Sequence, residues 1–382
     1  MEILIKKKVF LEGLETAKES VERGGTLPML KNIKLTAKDN SLKLYTTNLA
    51  TSTVLFLRNL SILSEGEALC DALKLIAIVK ELPDKEIKIF TEEKGHLIIE
   101  CEKSRFKLLT MPSEEFPSEP EFPEEKLFPI GEEFFDSLKK VKHAISKDNM
   151  RYTLNGIYLG IDIVATDGYR MAVVKRDYPF RGMIVSSDFI NLTLKAKNRE
   201  ELNAFEAGYS ENKICLRTDD LILYGRILEG EFPDYSSVIP DYHQRKASMD
   251  KTKLSRAIKR IMLMSEKNFQ VKLDFRPYSL ILSSFTPDLG NAQEEIKTEY
   301  SSEIEENKPF AIALNGKYLL DILETLQEER VTILMNSEVS AVKIEENDSI
   351  HILMPLRLPE SEPKPEQQSE PTEHEFAEEK GE

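Results

Sequence analysis

The sequence predicts an α+β protein made of three similar domains, each with two helices packed on antiparallel sheets. Three observations carry this expectation. Short runs such as Ile33–Thr36, Ser41–Tyr45, Glu86–Phe90 and Leu97–Ile99 alternate apolar and polar residues, the period of half-buried strands. Longer segments repeat their apolar residues at helical spacing. Landmarks then recur at a long period: Phe116-Pro117 and Phe232-Pro233 lie 116 residues apart, and the helix positions Leu14, Leu138 and Ile258 are spaced by 124 and 120.

The elements follow in order. Met1-Glu2-Ile3-Leu4-Ile5 sets acid and apolar residues before Lys6-Lys7-Lys8, the wrong order for a signal peptide, and reads as a first strand. Helices are expected over Val9–Val21 and Ala72–Leu82 in the first repeat, and over Phe134–Ile145 and around Leu192 in the second. The third repeat has them over Leu254–Met264 and Tyr318–Leu326. Pro-rich, acidic Pro117–Pro129 and the stretch Pro240–Ser248 serve as linkers. The domains are therefore expected at 1–122, 127–243 and 248–358. Residues 359–382 hold nine Glu and two Lys, almost no apolar residues and several prolines, and are expected to be a disordered acidic tail.

Composition narrows the function. No run of 18 apolar residues exists, so no membrane span or membrane partner is expected. Cys70, Cys101 and Cys215 are few and widely spaced; they read as small buried apolar residues in a reducing cytoplasm. The net charge of -15 argues against a protein that simply coats DNA, although the tail alone carries -7 of it, leaving -8 for the preceding 358 residues. Bases are nonetheless concentrated. Lys251–Arg260 contains five and no acid: Leu254, Ala257, Ile258 and Ile261 make one apolar stripe, with Lys253, Arg256, Lys259 and Arg260 opposite. In the segment from Phe134, residues Phe134, Leu138, Val141 and Ile145 face inward, and Lys139, Lys140 and Lys147 outward. Lys195, Lys197 and Arg199 form a third cluster. Such faces at corresponding places in three repeats predict a localised phosphate-facing surface, to which Arg151 is also assigned. Zinc-finger spacing and RNP-like aromatic runs are absent, so base-specific readout is not expected.

No catalytic constellation emerges. Gly24-Gly25-Thr26 lacks the lysine and second glycine of a P-loop. His96, His143, His243, His351 and His374 show no metal-ligand spacing, and no Gly-x-Ser-x-Gly is present. Glu114-Glu115 and Glu294-Glu295 read as loop or strand-edge charge. No cofactor and no metal are expected. The alternative, a DNA nuclease or nucleotidyltransferase subunit with its own activity, needs a metal-binding carboxylate cluster. A second alternative is a monomeric peptide-binding adaptor that never encircles DNA.

Several segments resemble the bacterial sliding clamp family, the beta subunit of DNA polymerase III. They are Thr26–Ile33; Arg105–Leu108 with Met111-Pro112 and Phe116-Pro117; Arg151–Gly156; Ala165–Ala172; Phe232–Tyr235 with Val238-Ile239-Pro240; Tyr318–Asp321; and Met354–Leu358. Together they span residues 1–358 in order. The resemblance implies a non-catalytic processivity factor: a head-to-tail homodimer whose six domains close into a ring around double-stranded DNA without sequence specificity. Its implied partners are the replicative polymerase catalytic subunit, the clamp loader and repair proteins carrying a clamp-binding motif. Clients would bind in a cleft formed by Leu154, Thr166, Gly168, Tyr169, Arg170, Met171, Pro233, Val238, Ile239, Ile352, Met354, Pro355, Leu356 and Arg357. Tyr169 stands where the family more usually has His, and Met171 where it has Leu; methionine repacks around varied ligands. The dimer contact maps to Lys74, Ile78, Leu82, Phe106 and Leu108 on the first domain, and to Met262 and Leu263 on the third. A DNA-contacting arginine of the family falls on Gly24, with Arg23 adjacent as its substitute.

Overall fold

The computed structural model describes residues 1–22, 24–25, 27–92, 95–122, 127–199, 204–265, 269–286, 289–304 and 308–357. Arg23, the side chain of Arg199, Leu358 and the acidic tail lie outside the described residues.

One element order occurs three times, the second repeat having four strands between its helices where the first and third have five. The first repeat runs β1 (Glu2–Lys6), α1 (Lys7–Ala17), β2 (Asn32–Lys38), β3 (Ser41–Thr47), β4 (Thr51–Leu57), β5 (Leu60–Ser64), β6 (Gly66–Asp71), α2 (Ala72–Glu81), β7 (Glu86–Glu92), β8 (His96–Cys101) and β9 (Ser104–Met111). The second runs β10 (Phe128–Ile130), α3 (Glu132–Val141), β11 (Gly156–Leu159), β12 (Ile163–Thr166), β13 (Arg170–Val174), β14 (Met183–Ser186), α4 (Ser187–Arg199), β15 (Phe205–Tyr209), β16 (Lys213–Arg217) and β17 (Leu221–Leu228). The third runs β18 (Arg245–Asp250), α5 (Lys251–Ile261), β19 (Gln270–Phe275), β20 (Ser279–Thr286), β21 (Gly290–Lys297), β22 (Glu299–Ser302), β23 (Phe310–Asn315), α6 (Gly316–Thr325), β24 (Arg330–Met335), β25 (Val342–Glu346) and β26 (Ser349–Leu353).

Local chemistry repeats with the elements. Asp71, Asp250 and Asn315 cap α2, α5 and α6, their side chains accepting from Lys74 N, Lys253 N, and Lys317 N with Tyr318 N. At the other end, a lysine opening the first helix of a repeat serves the last turn of the second. Lys7 Nζ donates to the carbonyls of Lys80 and Leu82, and Lys251 Nζ donates to that of Leu326 at 2.7 Å. The leading helices are shorter than their sequence periodicity: α1, α3 and α5 each pass into a 3-10 turn, at Lys18, Lys142 and Met262. Lys147 therefore sits in the loop beyond α3 rather than on its face.

Strands from neighbouring repeats join into continuous sheets at two seams. At the first, β17 pairs antiparallel with β4, from Leu221↔Leu55 to Gly225↔Thr51. At the second, β26 pairs antiparallel with β13, from Arg170↔Leu353 to Val174↔Ser349. The helices pack as pairs, α1 with α2, α3 with α4 and α5 with α6. They also meet across the seams: α3 touches α6, and Lys195 of α4 reaches Glu19 just after α1 at 2.8 Å. One apolar core runs through the first two repeats and a second fills the third. Cys70, Cys101 and Cys215 are all buried free thiols, and burial pushes Cys70 and Cys215 up to about 12, far from a reactive thiolate.

Candidate client cleft and basic helix faces

The second seam carries more than backbone pairing. On β13 and β26 alternate side chains share one face, so Met171, Val173, Ile350 and Ile352 form a buried apolar layer with Val164. The linker after β17 crosses this layer: the Phe232 ring stacks on Tyr158 with centroids 5.2 Å apart, and Tyr235 Oη donates to Asp162 at 3.0 Å. At its border three large side chains stay open, Met354 at 41 %, Val238 at 53 % and Tyr169 at 60 % exposure. Pro233 is also exposed, Ile239 and Pro355 are half-buried, and Leu154 is buried. The chain then leaves the seam: Met354 N donates to Tyr169 O, Leu356 N to Ala313 O, and Gln270 Nε2 to Arg357 O.

The β12–β13 hairpin explains several assigned residues in structural terms. Gly168 adopts φ +87°, and a Cβ there would approach Arg151 Nη1 to 2.7 Å, so only glycine fits without strain. Asp167 Oδ1 accepts from the amides of Tyr169 and Arg170, and Thr166 Oγ1 donates to Arg170 O. Arg170 is buried rather than open to a ligand: Nε donates to Asp167 at 3.1 Å, Nη1 to Asp321 at 2.6 Å, and the guanidinium lies 4.0 Å over the Tyr318 ring. It ties the hairpin to α6. Beside it opens a cavity of about 340 Å³ lined by Lys147, Asp148, Arg151, Asp167, Tyr169, Arg170, Lys317, Tyr318 and Asp321 among others. Sequence reasoning did not assign Lys317, Tyr318 or Asp321 to this neighbourhood, because α6 reaches it only through the seam.

The same seam holds a histidine pair, His351 buried and His143 half-buried. His143 Nε2 and His351 Nδ1 lie 3.3 Å apart, with the rings stacked at 5.4 Å. Burial pushes both imidazoles down to about 3, with Arg170 adding to the effect on His143, and His143 itself and Lys140 adding to that on His351. Both are neutral at pH 7. A histidine whose folded pKa is depressed favours the fold above its unfolded pKa, about 6.5, and loses that contribution as pH falls towards the folded value. Melting temperature is therefore expected to drop steeply from pH 7 to pH 4.5, and less steeply in His143→Gln. Equal pH slopes in the two proteins would refute the assignment.

The basic helix faces are unequal. On α5, Leu254, Ala257, Ile258 and Ile261 are buried and Lys253, Arg256, Lys259 and Arg260 exposed. Arg260 is held by Glu294 of β21 through two bonds of 2.8 and 2.5 Å, and its guanidinium keeps that carboxyl below the usual range. Lys259 lies 3.7 Å from Glu324. Among the described residues, Lys253, Arg256 and Lys147 have no acidic partner within salt-bridge distance. Lys139 pairs with Asp136, Lys195 with Glu19, Lys197 with Glu132, and Arg151, loosely, with Asp148. Lys140 differs from its outward expectation. It is largely buried and bridges the seam to Asp348 at 2.8 Å, where Arg176 converges at the same distance.

Lys74, Ile78, Phe106 and Leu108 lie at the α2–β9 end of the chain, and Met262 and Leu263 in the turn after α5. Phe106 is 38 % and Leu263 78 % exposed, whereas Leu82 is packed inside its own domain. Among the described residues no three His, Cys, Asp or Glu side chains converge as a metal ion requires. No helix among them is long and apolar enough to cross a membrane.

Three copies of one fold, sheets continuous across the seams and basic residues gathered on the helices define the DNA clamp class. Family models for the N-terminal, central and C-terminal domains of the DNA polymerase III beta subunit match residues 1–120, 131–234 and 236–357. The beta sliding clamp of Rickettsia bellii is 30 % identical over 382 residues, covering 94 % of this chain and 100 % of its own; that of Pseudomonas aeruginosa is 28 % identical at the same coverages. Among solved structures, the Bartonella birtlesii sliding clamp bound to griselimycin superposes with a TM-score of 0.89 at 28 % identity. The Pseudomonas aeruginosa beta subunit superposes at 0.86, also at 28 % identity. Both cover 94 % of this chain and 100 % of theirs. The chain belongs to the DNA polymerase III beta subunit family, the bacterial beta sliding clamps. It is a non-catalytic processivity factor of DNA replication.

Proposed function

We propose that two copies close head to tail into a ring that encircles duplex DNA, with 1–122, 127–243 and 248–358 as its repeating units. One observation carries this reading. In the first two repeats the third strand after the leading helix meets the final strand of the next repeat: β4 meets β17, and β13 meets β26. The third such pair is β21 and β9. Within the described residues β21 pairs with β20 alone, and β9 with β8 along Ser104–Leu109 and with β6 only at its end. β17 does the same, meeting β16, then β14 at Ile227 and Leu228, while its other edge takes β4. An open β21 at one end and an open β9 at the other are the two halves of one missing seam, and a second copy supplies each. Heterologous contacts of this kind form rings when the rotation closes.

In the ring the paired helices form the layer facing DNA, through Lys253, Arg256 and Lys259 of α5, Lys139 of α3, Lys195 and Lys197 of α4, and Lys147 and Arg151 in the segment between α3 and β11; Arg23 joins them on the sequence assignment alone. Contacts to phosphate with no base-edge bonds attract without fixing a register, as sliding requires. Retention after loading tests the ring: the protein stays on circular DNA and runs off linearised DNA, and equal retention on both would exclude topological binding. The nuclease alternative lacks a converging carboxylate cluster among the described residues.

Clients, namely the replicative polymerase catalytic subunit, the clamp loader and motif-bearing repair proteins in the cytoplasm, dock at the second seam. A short peptide with Gln and a Leu-Phe pair places its apolar side chains among Leu154, Val238, Met354 and Tyr169, while polar groups at the rim orient it. Met354→Ala is expected to weaken such a peptide by about tenfold, the loss of one anchor, and to leave ring formation unchanged. Wild-type affinity in a fluorescence-anisotropy titration would move the cleft elsewhere.

A further inference from the structure

We propose that the acidic segment 359–382 is a tethered competitor for the client cleft, with Phe376 as its anchor; this rests on the reading of that cleft as the client site. Phe376 is the one aromatic residue in the segment, and Glu373, Glu375, Glu378 and Glu379 flank it. The described chain reaches Arg357 three residues after Met354, at the cleft border, so the segment starts beside the site. Phe376 lies nineteen positions beyond Arg357, a contour of roughly 60 Å when extended. The cleft offers what an acidic, singly aromatic segment can use. Met354, Val238 and Tyr169 present open apolar surface, and Lys147 and Lys317 supply exposed positive charge around the adjoining cavity, where Arg151 is loosely paired with Asp148. Arg170 adds no positive charge there, because Asp167 and Asp321 both engage it and leave that trio net negative, so the positive character of the cavity rests on Lys147 and Lys317.

The segment is a partial mimic of a client. It has glutamines at 367 and 368 and a single phenylalanine, but no leucine beside that phenylalanine. Its intrinsic affinity is therefore low, and tethering compensates: a linked group acts at an effective concentration on the order of millimolar. A true client peptide then displaces it, at the cost of a lower apparent affinity. Weak, generic contacts are filtered out, and clients that engage both the apolar pocket and its polar rim get through.

Full-length protein carrying Phe376→Ala, and separately the four flanking glutamates changed to glutamine, should bind a Gln/Leu-Phe peptide more tightly. The gain should be roughly threefold to tenfold, and smaller at high salt for the glutamate set. A photoreactive benzophenone amino acid at position 376 should crosslink to Met354, Val238 or Tyr169, and excess peptide should suppress the crosslink. Unchanged peptide affinity in both variants, or crosslinks confined to the Lys253 and Arg256 face of α5, would overturn the competitor. The cleft reading would survive that result if Met354→Ala still weakens the peptide. Should the peptide bind no form of the protein, the cleft reading fails, and the competitor with it.

Discussion

Glutamate at Lys253, Arg256 and Lys259 is expected to abolish stable retention on circular DNA while leaving the fold and the ring intact. These three side chains lie on the outward face of α5, opposite Leu254, Ala257, Ile258 and Ile261, which pack into the third repeat's core. Reversal therefore removes no apolar contact. Asp250 caps the helix through the backbone amide of Lys253, so this substitution spares the cap as well. Arg260 is the worse target despite its place on the same face, because Glu294 already engages it beside β21. Changing it would strand a carboxylate at the open edge where a second copy is proposed to pair, confounding DNA contact with assembly. If each reversed residue meets one phosphate, the slope of log affinity against log salt should fall by about 2.7 per subunit. Circular dichroism and sizing chromatography would report the fold and assembly, and a salt titration of DNA retention the charge effect. Wild-type retention with an unaltered slope would mean that α5 faces away from DNA.

The architecture was legible in the sequence because it is repeated. The Phe-Pro landmarks, the spacing of Leu14, Leu138 and Ile258, and alternating strands such as Ser41–Tyr45 each report one unit, and three units agree. Asp167-Gly168 is a hairpin-turn signal by residue type, and Gly168 does adopt the positive φ such turns need. What the sequence could not show is pairing that depends on the seams. Lys140 reads as an exposed base on a helical wheel, yet the seam brings Asp348 from 208 residues away to bury and neutralise it. Arg170 reads as a ligand-binding arginine, yet Asp321 of the third repeat claims it. His143 and His351 show no metal spacing in sequence and meet only because β26 returns beside β13. Tyr318 and Lys317 join the neighbourhood of the cleft for the same reason. In each case one partner is local and the other arrives by tertiary pairing, a long-range contact that periodicity does not encode.

Loss of the Phe106 ring should have the second large effect, on assembly. In the single chain Phe106 lies on β9 at 38 % exposure. Leu263, at 78 %, is more open still, in the turn that follows α5 and packs near β21. The charges at the two ends are complementary. β9 carries Arg105 and Lys107, and β21 carries Glu294 and Glu295. Within the chain Arg105 and Lys107 share Glu92, and Arg260 holds Glu294, so these side chains are already positioned at the edges rather than free in solvent. Pairing β9 with β21 of a second copy would satisfy both open backbone edges, as the β4–β17 and β13–β26 seams do. It would also bring Phe106 and Leu108 against Met262 and Leu263. Phe106→Ala should then cost about 2 kcal/mol at each contact, the scale of an aromatic anchor, and so about 4 kcal/mol over the two contacts of the ring, roughly 1,000-fold in the dissociation constant. Because a ring of two chains has two such contacts, opening only one of them already releases DNA, and retention should fail before the dimer fully dissociates. Dilution followed by analytical ultracentrifugation measures the first effect. A double-mutant cycle with Leu263→Ala then asks whether the two residues share one contact, since coupled neighbours lose less together than the sum of their separate losses. Additive losses would separate Phe106 from Leu263, and a dissociation midpoint identical to the wild type would mean that β9 is not the edge through which the ring closes.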